Sequence, residues 1–399
     1  MISKKIQTAL AGSSAIRAMF VEGKEMAKKY GAENVYDFSL GNPATPAPKA
    51  LNEALIDLVN EAADDSVSLD LHGYMSNSGY PEVRQAIADN LNKRFGTSFD
   101  FHNVVMTVGA AGGLNIIFKT ILDPEDEVIV FAPFFGEYRQ YAANFDAKIV
   151  AVQPNLETFQ PDLVDFEAKI TAKTKAVIIN TPNNPTGVIY SPATMQAIAD
   201  ILEKKQQEIG HDIYLVSDEP YRELVYDGAS EDFLTKYYKN TIVGYSFSKS
   251  LSLPGERIGY VVVPDEASDA EDLLRGIEIS NRTLGFVNAP SLMQKAVARC
   301  LDEKTDVAFY DRNRKLLYEG LTKLGFTCVK PEGAFYLWMK SPVENEEEFV
   351  AAGKKYNLLM VKGGAFGCSG YVRLAYCVSY EMIERSLPAF EKLAKEYNL

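Results

Sequence analysis

Between residues 104 and 263, short apolar runs rich in β-branched residues alternate with longer stretches whose apolar side chains recur every three or four positions. The runs Val104–Val108, Glu127–Phe131, Lys148–Val152, Ala176–Asn180, Ile213–Ser217, Ile242–Tyr245 and Ile258–Val263 predict seven strands. Continuous apolar strands separated by helical patterns such as Gly113–Leu122 and Pro192–Gln207 predict an α/β domain, a mostly parallel seven-stranded sheet covered by helices. Before it lies a partly amphipathic segment (Ile16, Met19, Phe20, Met26). The stretch Gly41-Asn-Pro-Ala-Thr-Pro-Ala-Pro48 that follows reads as an extended linker. After about Asn288 a helical stretch carrying Tyr310, Arg312 and Arg314 leads into Gly333–Trp338, a strand by its alternation, and a helix from Ser379 to Tyr397 closes the chain. The pattern divides into an N-terminal segment (1–48), a large domain (49–288) and a smaller α+β domain (289–399).

Composition narrows the classes. With 399 residues and 47% hydrophobic content the chain can bury a large core and should form about two domains. A formal charge of -13 argues against nucleic acid and anionic membranes as partners. Cys300, Cys328, Cys368 and Cys377 show no CxxC spacing, and His72, His102 and His211 form no ligand pair, so reduced thiols and no metal are expected. The start, Met-Ile-Ser-Lys-Lys-Ile-Gln, lacks a signal-peptide core and no run is long enough to span a bilayer, which predicts a cytoplasmic protein.

In open α/β sheets, ligands gather beyond the carboxyl ends of the strands, so the residues after each run belong together. After Val108 comes Gly109-Ala-Ala-Gly-Gly-Leu-Asn115, small residues opening a helix whose free N–H groups suit a phosphate; a tight strand-to-helix turn needs the same residues. Ala132-Pro-Phe-Phe-Gly-Glu-Tyr138 offers an aromatic face to a flat heterocycle, or ordinary core packing. Thr181-Pro-Asn-Asn-Pro-Thr-Gly187 presents Asn184 as an amide donor, or closes an Asx turn. In Asp218-Glu-Pro-Tyr221 a carboxylate can meet a protonated ring nitrogen or cap a helix. Last comes Ser246-Phe-Ser-Lys-Ser-Leu-Ser-Leu-Pro-Gly-Glu-Arg-Ile-Gly259. Its Lys249 is an amine able to form a Schiff base once its pKa is lowered, and Arg257 can clamp a phosphate. A phosphate cradle, a stacking ring, an amide, an acid for a ring nitrogen and a lysine for an aldehyde are what pyridoxal phosphate needs, its pyridinium drawing electrons from the substrate α-carbon.

With these residues in this order the chain resembles the fold-type I pyridoxal-phosphate enzymes, specifically the class I/II aminotransferases related to aspartate aminotransferase. The resemblance runs from Ser14-Ala-Ile-Arg17 and Gly41-Asn-Pro43 to Gly370-Tyr-Val-Arg373, and its most specific part is Asp218-Glu-Pro-Tyr221 followed by Ser246-Phe-Ser-Lys249 and Arg257. It implies that Lys249 forms the Schiff base with pyridoxal 5'-phosphate and shuttles the proton between the substrate α-carbon and the cofactor C4′ carbon. Asp218 would pair with the pyridinium, and Asn184 and Tyr221 would hydrogen-bond the ring oxygen. Phe135 stands where the family stacks an aromatic on the ring. The phosphate would be held at Gly109 by the backbone N–H groups of Ala110 and Ala111, with Ser246, Ser248 and Arg257. Arg373 matches the arginine that takes the substrate α-carboxylate, which Gly41 and Asn184 also approach. Tyr74 matches a tyrosine reaching the phosphate of a neighbouring subunit, which implies a homodimer, with the N-terminal segment joining the small domain and the dimer contacts. Gly112-Gly113 depart from the larger or polar residues common in that loop, and no position is marked for a distal carboxylate.

The leading expectation is an aminotransferase that moves the amino group of an L-amino acid, aspartate or an aromatic or apolar one, to a 2-oxo acid such as 2-oxoglutarate. A β carbon–sulfur lyase would use the same motif residues. A cofactor-sensing regulatory module is the third reading, and the short N-terminal segment and acidic chain weigh against it.

Overall fold

The computed structural model describes residues 2–11, 15–229 and 232–399; Ser14 lies outside them, and Ala15–Arg17 open the helix Ala15–Tyr30. The central sheet consists of β1 (Val104–Thr107), β2 (Glu127–Phe131), β3 (Lys148–Val152), β4 (Thr174–Ile179), β5 (Tyr214–Asp218), β6 (Thr241–Ser246) and β7 (Gly259–Val262). Their order is β1-β7-β6-β5-β4-β2-β3. All neighbours are parallel except at β7, which runs antiparallel to β1 and β6. Two helical layers explain why the middle of these strands is apolar on both faces. Along β4, Ala176 and Ile178 pack with the helices Gly109–Ile121 and Ala270–Thr283, whereas Val177 and Ile179 meet Phe166, Ile198 and Leu202 on the other face. Each fully buried aliphatic side chain contributes roughly 1.5–3 kcal/mol relative to an exposed one.

The strands expected from sequence all occur, and β2 and β3 have the expected bounds. Two differences bear on function. β5 and β6 each run one residue further than the apolar runs, because Asp218 pairs with Gly244 and Ser246 with Gly259 in the ladders. Two chemically active side chains therefore stand on the last residues of strands. The helix after β1 starts at Gly109 rather than Gly113.

A second sheet is antiparallel: β8 (Cys328–Val329), β9 (Tyr336–Lys340), β10 (Val361–Lys362) and β11 (Tyr371–Ala375), in the order β10-β11-β9-β8. Leu337, Met339, Val372 and Leu374 pack with Leu317, Leu321, Phe390 and Leu393 of the helices Val307–Lys323 and Tyr380–Glu396. The strand expected over Gly333–Trp338 begins at Tyr336, because Gly333 is engaged elsewhere: it bridges Val225, and its N–H donates to the Gly187 carbonyl at 2.9 Å. The stretch read as a linker, residues 41–48, has no regular structure yet is tied down: the Thr45 hydroxyl meets that of Tyr310 at 3.0 Å and that of Ser252 at 3.1 Å. Among the described residues no helix is long and apolar enough to cross a membrane, and no group of three His, Cys, Asp or Glu side chains could hold a metal ion.

Candidate active site

A cavity of about 1220 Å³ opens at the carboxyl ends of β4, β5 and β6, closed on one side by the antiparallel sheet. Gly41, Ala110, Ala111, Phe135, Asn184, Asp218, Tyr221, Ser246, Ser248, Lys249, Arg257 and Arg373 line it, although they come from segments spread over more than 300 positions. Gly109 stands directly behind Arg257. Tyr74 is the one sequence-derived candidate away from the cavity, and it is 96% exposed.

Asp218 is buried at the end of β5. The Tyr138 hydroxyl donates to its Oδ2 at 2.5 Å, and its Oδ1 is buried with no hydrogen-bond partner among the described residues. Removal from water pushes its pKa up to about 7, against the pull of the Tyr138 bond. Asn180, the residue after β4, donates from Nδ2 to the Asp218 carbonyl at 2.8 Å and accepts the Asn184 N–H at 2.8 Å, so one side chain sets both neighbours.

Ser246 caps the short helix Phe247–Ser250, its hydroxyl oxygen accepting the Ser248 N–H at 3.1 Å. Lys249 in that turn donates from Nζ to the Gly41 carbonyl at 2.6 Å. Burial brings its pKa down to about 8, with Arg373 and Arg257 acting in the same direction. Gly41 approaches so closely that a Cβ there would collide with the Tyr336 hydroxyl. At the head of the helix Gly109–Ile121, Gly109 has φ +76°, and an added Cβ would stand 2.7 Å from Arg257 Nη2. Glycine therefore lets the guanidinium lie against the first helical turn. Arg257 donates to the carbonyls of Pro254 (2.9 Å) and Val108 (3.4 Å).

Arg373 projects from β11 and is buried. Its Nη1 donates to Asn184 Oδ1 at 3.0 Å and its Nη2 to the Ser39 carbonyl, while Nε has no partner among the described residues. Its guanidinium carbon lies 4.5 Å from the Tyr336 ring centroid and 4.9 Å from that of Phe366. No carboxylate of the described residues pairs with it, and burial lowers its pKa. An unpaired buried arginine is costly and is ready to take an anion. Tyr221 and Tyr336 join hydroxyls at 2.8 Å beside it.

Sequence reading missed Tyr336, Asn180 and Glu346. Tyr336 lies inside a strand pattern that looks like core, and only the paired tyrosines reveal its role. Asn180 was visible as the last polar residue of an apolar run. Glu346 gave no signal: it is buried, accepts the N–H groups of Gly364 (2.7 Å), Tyr371 (3.4 Å) and Gly370, and so fixes the turn leading to Arg373.

The family model "Aminotransferase class I and II" matches residues 33–390. An aspartate/prephenate aminotransferase of Thermus thermophilus is 33% identical over 340 residues, 84% of this chain and 86% of that relative. An aromatic-amino-acid aminotransferase of Thermococcus litoralis is 31% identical over 386 residues, covering 92% and 94% of the two chains. Among solved structures, an amino transferase of Eubacterium rectale superposes with a TM-score of 0.96 at 48% identity over the full length of both chains.

Proposed function

The chain belongs to the aminotransferase class I and II family, and from that premise we propose that it moves the amino group of an L-amino acid to a 2-oxo acid, 2-oxoglutarate first among acceptors, with pyridoxal phosphate held in the cavity. The observation that carries this reading is the buried Oδ1 of Asp218, without a hydrogen-bond partner among the described residues, on a side chain that lines a cavity also receiving a lysine of lowered pKa. A carboxylate so placed needs a cationic N–H to stay ionised, and a pyridinium supplies one.

The remaining donors fit the same group. Ala110 and Ala111 N–H, the Ser246 and Ser248 hydroxyls and Arg257 would hold the phosphate, Phe135 would lie on the ring, and Asn184 and Tyr221 would bond its oxygen. When bound, pyridoxal phosphate supplies an aldehyde and an electron-withdrawing ring. This chain supplies the rest. A Lys249 with a pKa of about 8 is ~10% neutral amine at pH 7, enough to act as nucleophile and to carry a proton at Nζ. Asp218 would keep the ring nitrogen protonated. Arg373 would bind the substrate α-carboxylate, its guanidinium held against the Tyr336 and Phe366 rings.

The test is an absorbance titration of the cofactor-loaded protein with single L-amino acids and no oxo acid. We expect conversion to the amine form of the cofactor, reversed by 2-oxoglutarate; release of ammonia without conversion would instead identify a lyase. Lys249→Ala should reduce turnover by at least 10²- to 10⁴-fold, the contribution of a positioned proton carrier, and unchanged turnover would remove Lys249 from the mechanism.

A further inference from the structure

We propose that Arg222 is a positioning residue, a clamp behind the cavity that holds the strand ends carrying Asp218 and Lys249 in one arrangement; the catalytic part of the inference rests on the aminotransferase reading above. Neither Arg222 nor its partner Glu219 lines the cavity. The two form an ion pair whose side chains are each 2% exposed, with Nε donating to Glu219 Oε2 at 2.6 Å and Nη2 standing 2.5 Å from the same oxygen. Replacing such a pair by apolar side chains is often neutral or stabilising, because removing two charges from water costs about as much as their attraction gives back. Stability alone therefore does not account for the pair, and its location does.

Side chains alternate along a strand, so on β5 and β6 Asp218 and Ser246 share one face while Ser217 and Tyr245 share the other. The ion pair lies on that other face and engages three strands. At β5, the Glu219 N–H donates to the Gly244 carbonyl at 2.9 Å, extending the β5–β6 ladder one step past Asp218, and its Oε1 accepts the Ser217 hydroxyl at 2.6 Å. At β6, the Arg222 guanidinium carbon lies 4.5 Å from the Tyr245 ring centroid. At β7, Nη1 donates to the Tyr260 hydroxyl at 3.1 Å. Tyr245 and Tyr260 are opposite each other in the ladder, with stacked rings whose centroids are 4.8 Å apart. From Tyr245 the connection reaches the lysine: its hydroxyl donates to Ser250 Oγ at 2.8 Å, next to Lys249 in the helix Phe247–Ser250.

Charge-assisted bonds fix angles as well as distances, which apolar contacts do not. A guanidinium joined to Glu219 and Tyr260, and faced by the rings of Tyr245, Phe233 (5.2 Å) and Phe95 (5.4 Å), permits one relative placement of the three strand ends. The acid stands on one of those ends and the lysine follows another.

The experiment compares the unmodified protein with Tyr260→Phe, which detaches the guanidinium from β7, and with the double substitution Glu219→Gln and Arg222→Met, which removes both charges so that no unpaired ion is left in the core. Each is measured for its urea midpoint, for backbone hydrogen exchange over residues 214–221 and 241–251, for the absorbance of bound pyridoxal phosphate as pH is varied, and for kcat and KM with one amino donor and 2-oxoglutarate. In the double variant the urea midpoint should hold while exchange at the strand ends rises roughly tenfold. The pH midpoint of the bound cofactor should move and kcat fall roughly 10- to 100-fold, the scale of a small misplacement, with the KM of the amino donor retained because Arg373 stands on the other sheet. Tyr260→Phe should show the same split on a smaller scale. Unchanged exchange or kcat in the double variant, or losses in both variants that merely follow a lowered urea midpoint, would make the pair a structural one and overturn the proposal. Faster exchange in a protein whose unmodified form transfers an amino group from no donor would instead remove the function proposed above and leave the clamp in place.

Discussion

The role proposed for Asp218 makes it an anion in a place that favours its neutral form. Without the cofactor, its folded pKa of about 7 lies above the ordinary 3.8, so between those values the folded protein holds the extra proton. Stability must then fall as pH rises from 4 to 7, with the full penalty above 7. Asp218→Asn should therefore unfold at higher urea than the unmodified protein near pH 8, by ~2–4 kcal/mol, and at nearly the same urea near pH 4. A difference independent of pH would show that burial of this carboxylate is not what strains the site. At this scale most of the candidate site was legible: lysine, acid, amide and glycine turn follow their strands in a fixed order. Tyr336 and Glu346 were not, because each acts through partners hundreds or tens of positions away, and neither differs in sequence from an ordinary strand tyrosine or a solvated helix-start glutamate.

Short strands such as β2 and β3 announced themselves as apolar runs with sharp ends, Val128–Phe131 after Glu127 and Ile149–Val152 after Lys148. The N-terminal half of the large layer did not. In the helices Lys49–Glu61, Asp65–His72 and Pro81–Phe95 apolar residues are interspersed with polar ones and only part of them are buried, Leu51, Ala54 and Leu58 in the first, so no uninterrupted run marks them. The junction between β1 and its helix carries a prediction. Because Gly109 has φ +76° and Arg257 lies where its Cβ would be, Gly109→Ala must displace the guanidinium and strain the turn, at a cost of about 1–3 kcal/mol. Titration of pyridoxal phosphate into the cofactor-free variant should show at least tenfold weaker binding, and retained affinity would take Arg257 out of the phosphate site.

At the scale of the molecule, we propose that the larger domain runs past residue 288, because the helix Ser291–Ala298 packs with the helices Lys49–Glu61 and Pro81–Phe95 in one core with Val104 and Val262. We also propose a homodimer in which Tyr74, 96% exposed in the single chain, serves the neighbour's phosphate. Mixing Tyr74→Ala with Lys249→Ala should then regenerate about a quarter of the unmodified activity, since half of the randomly formed pairs contain one complete site out of two. No recovery on mixing, with dimers verified by sedimentation, would confine Tyr74 to its own chain. The register of the central sheet has a wider consequence. The positions of Asp218 and Lys249 follow from the pairing of β5 with β6, Asp218 opposite Gly244, whereas the outer walls include the start of the helix Tyr138–Ala143 and the 3-10 turn Gly363–Phe366. Acid and amine are thus placed by main-chain pairing, so a change that slipped β5 against β6 by one residue would pull them apart whatever side chains the rim carried.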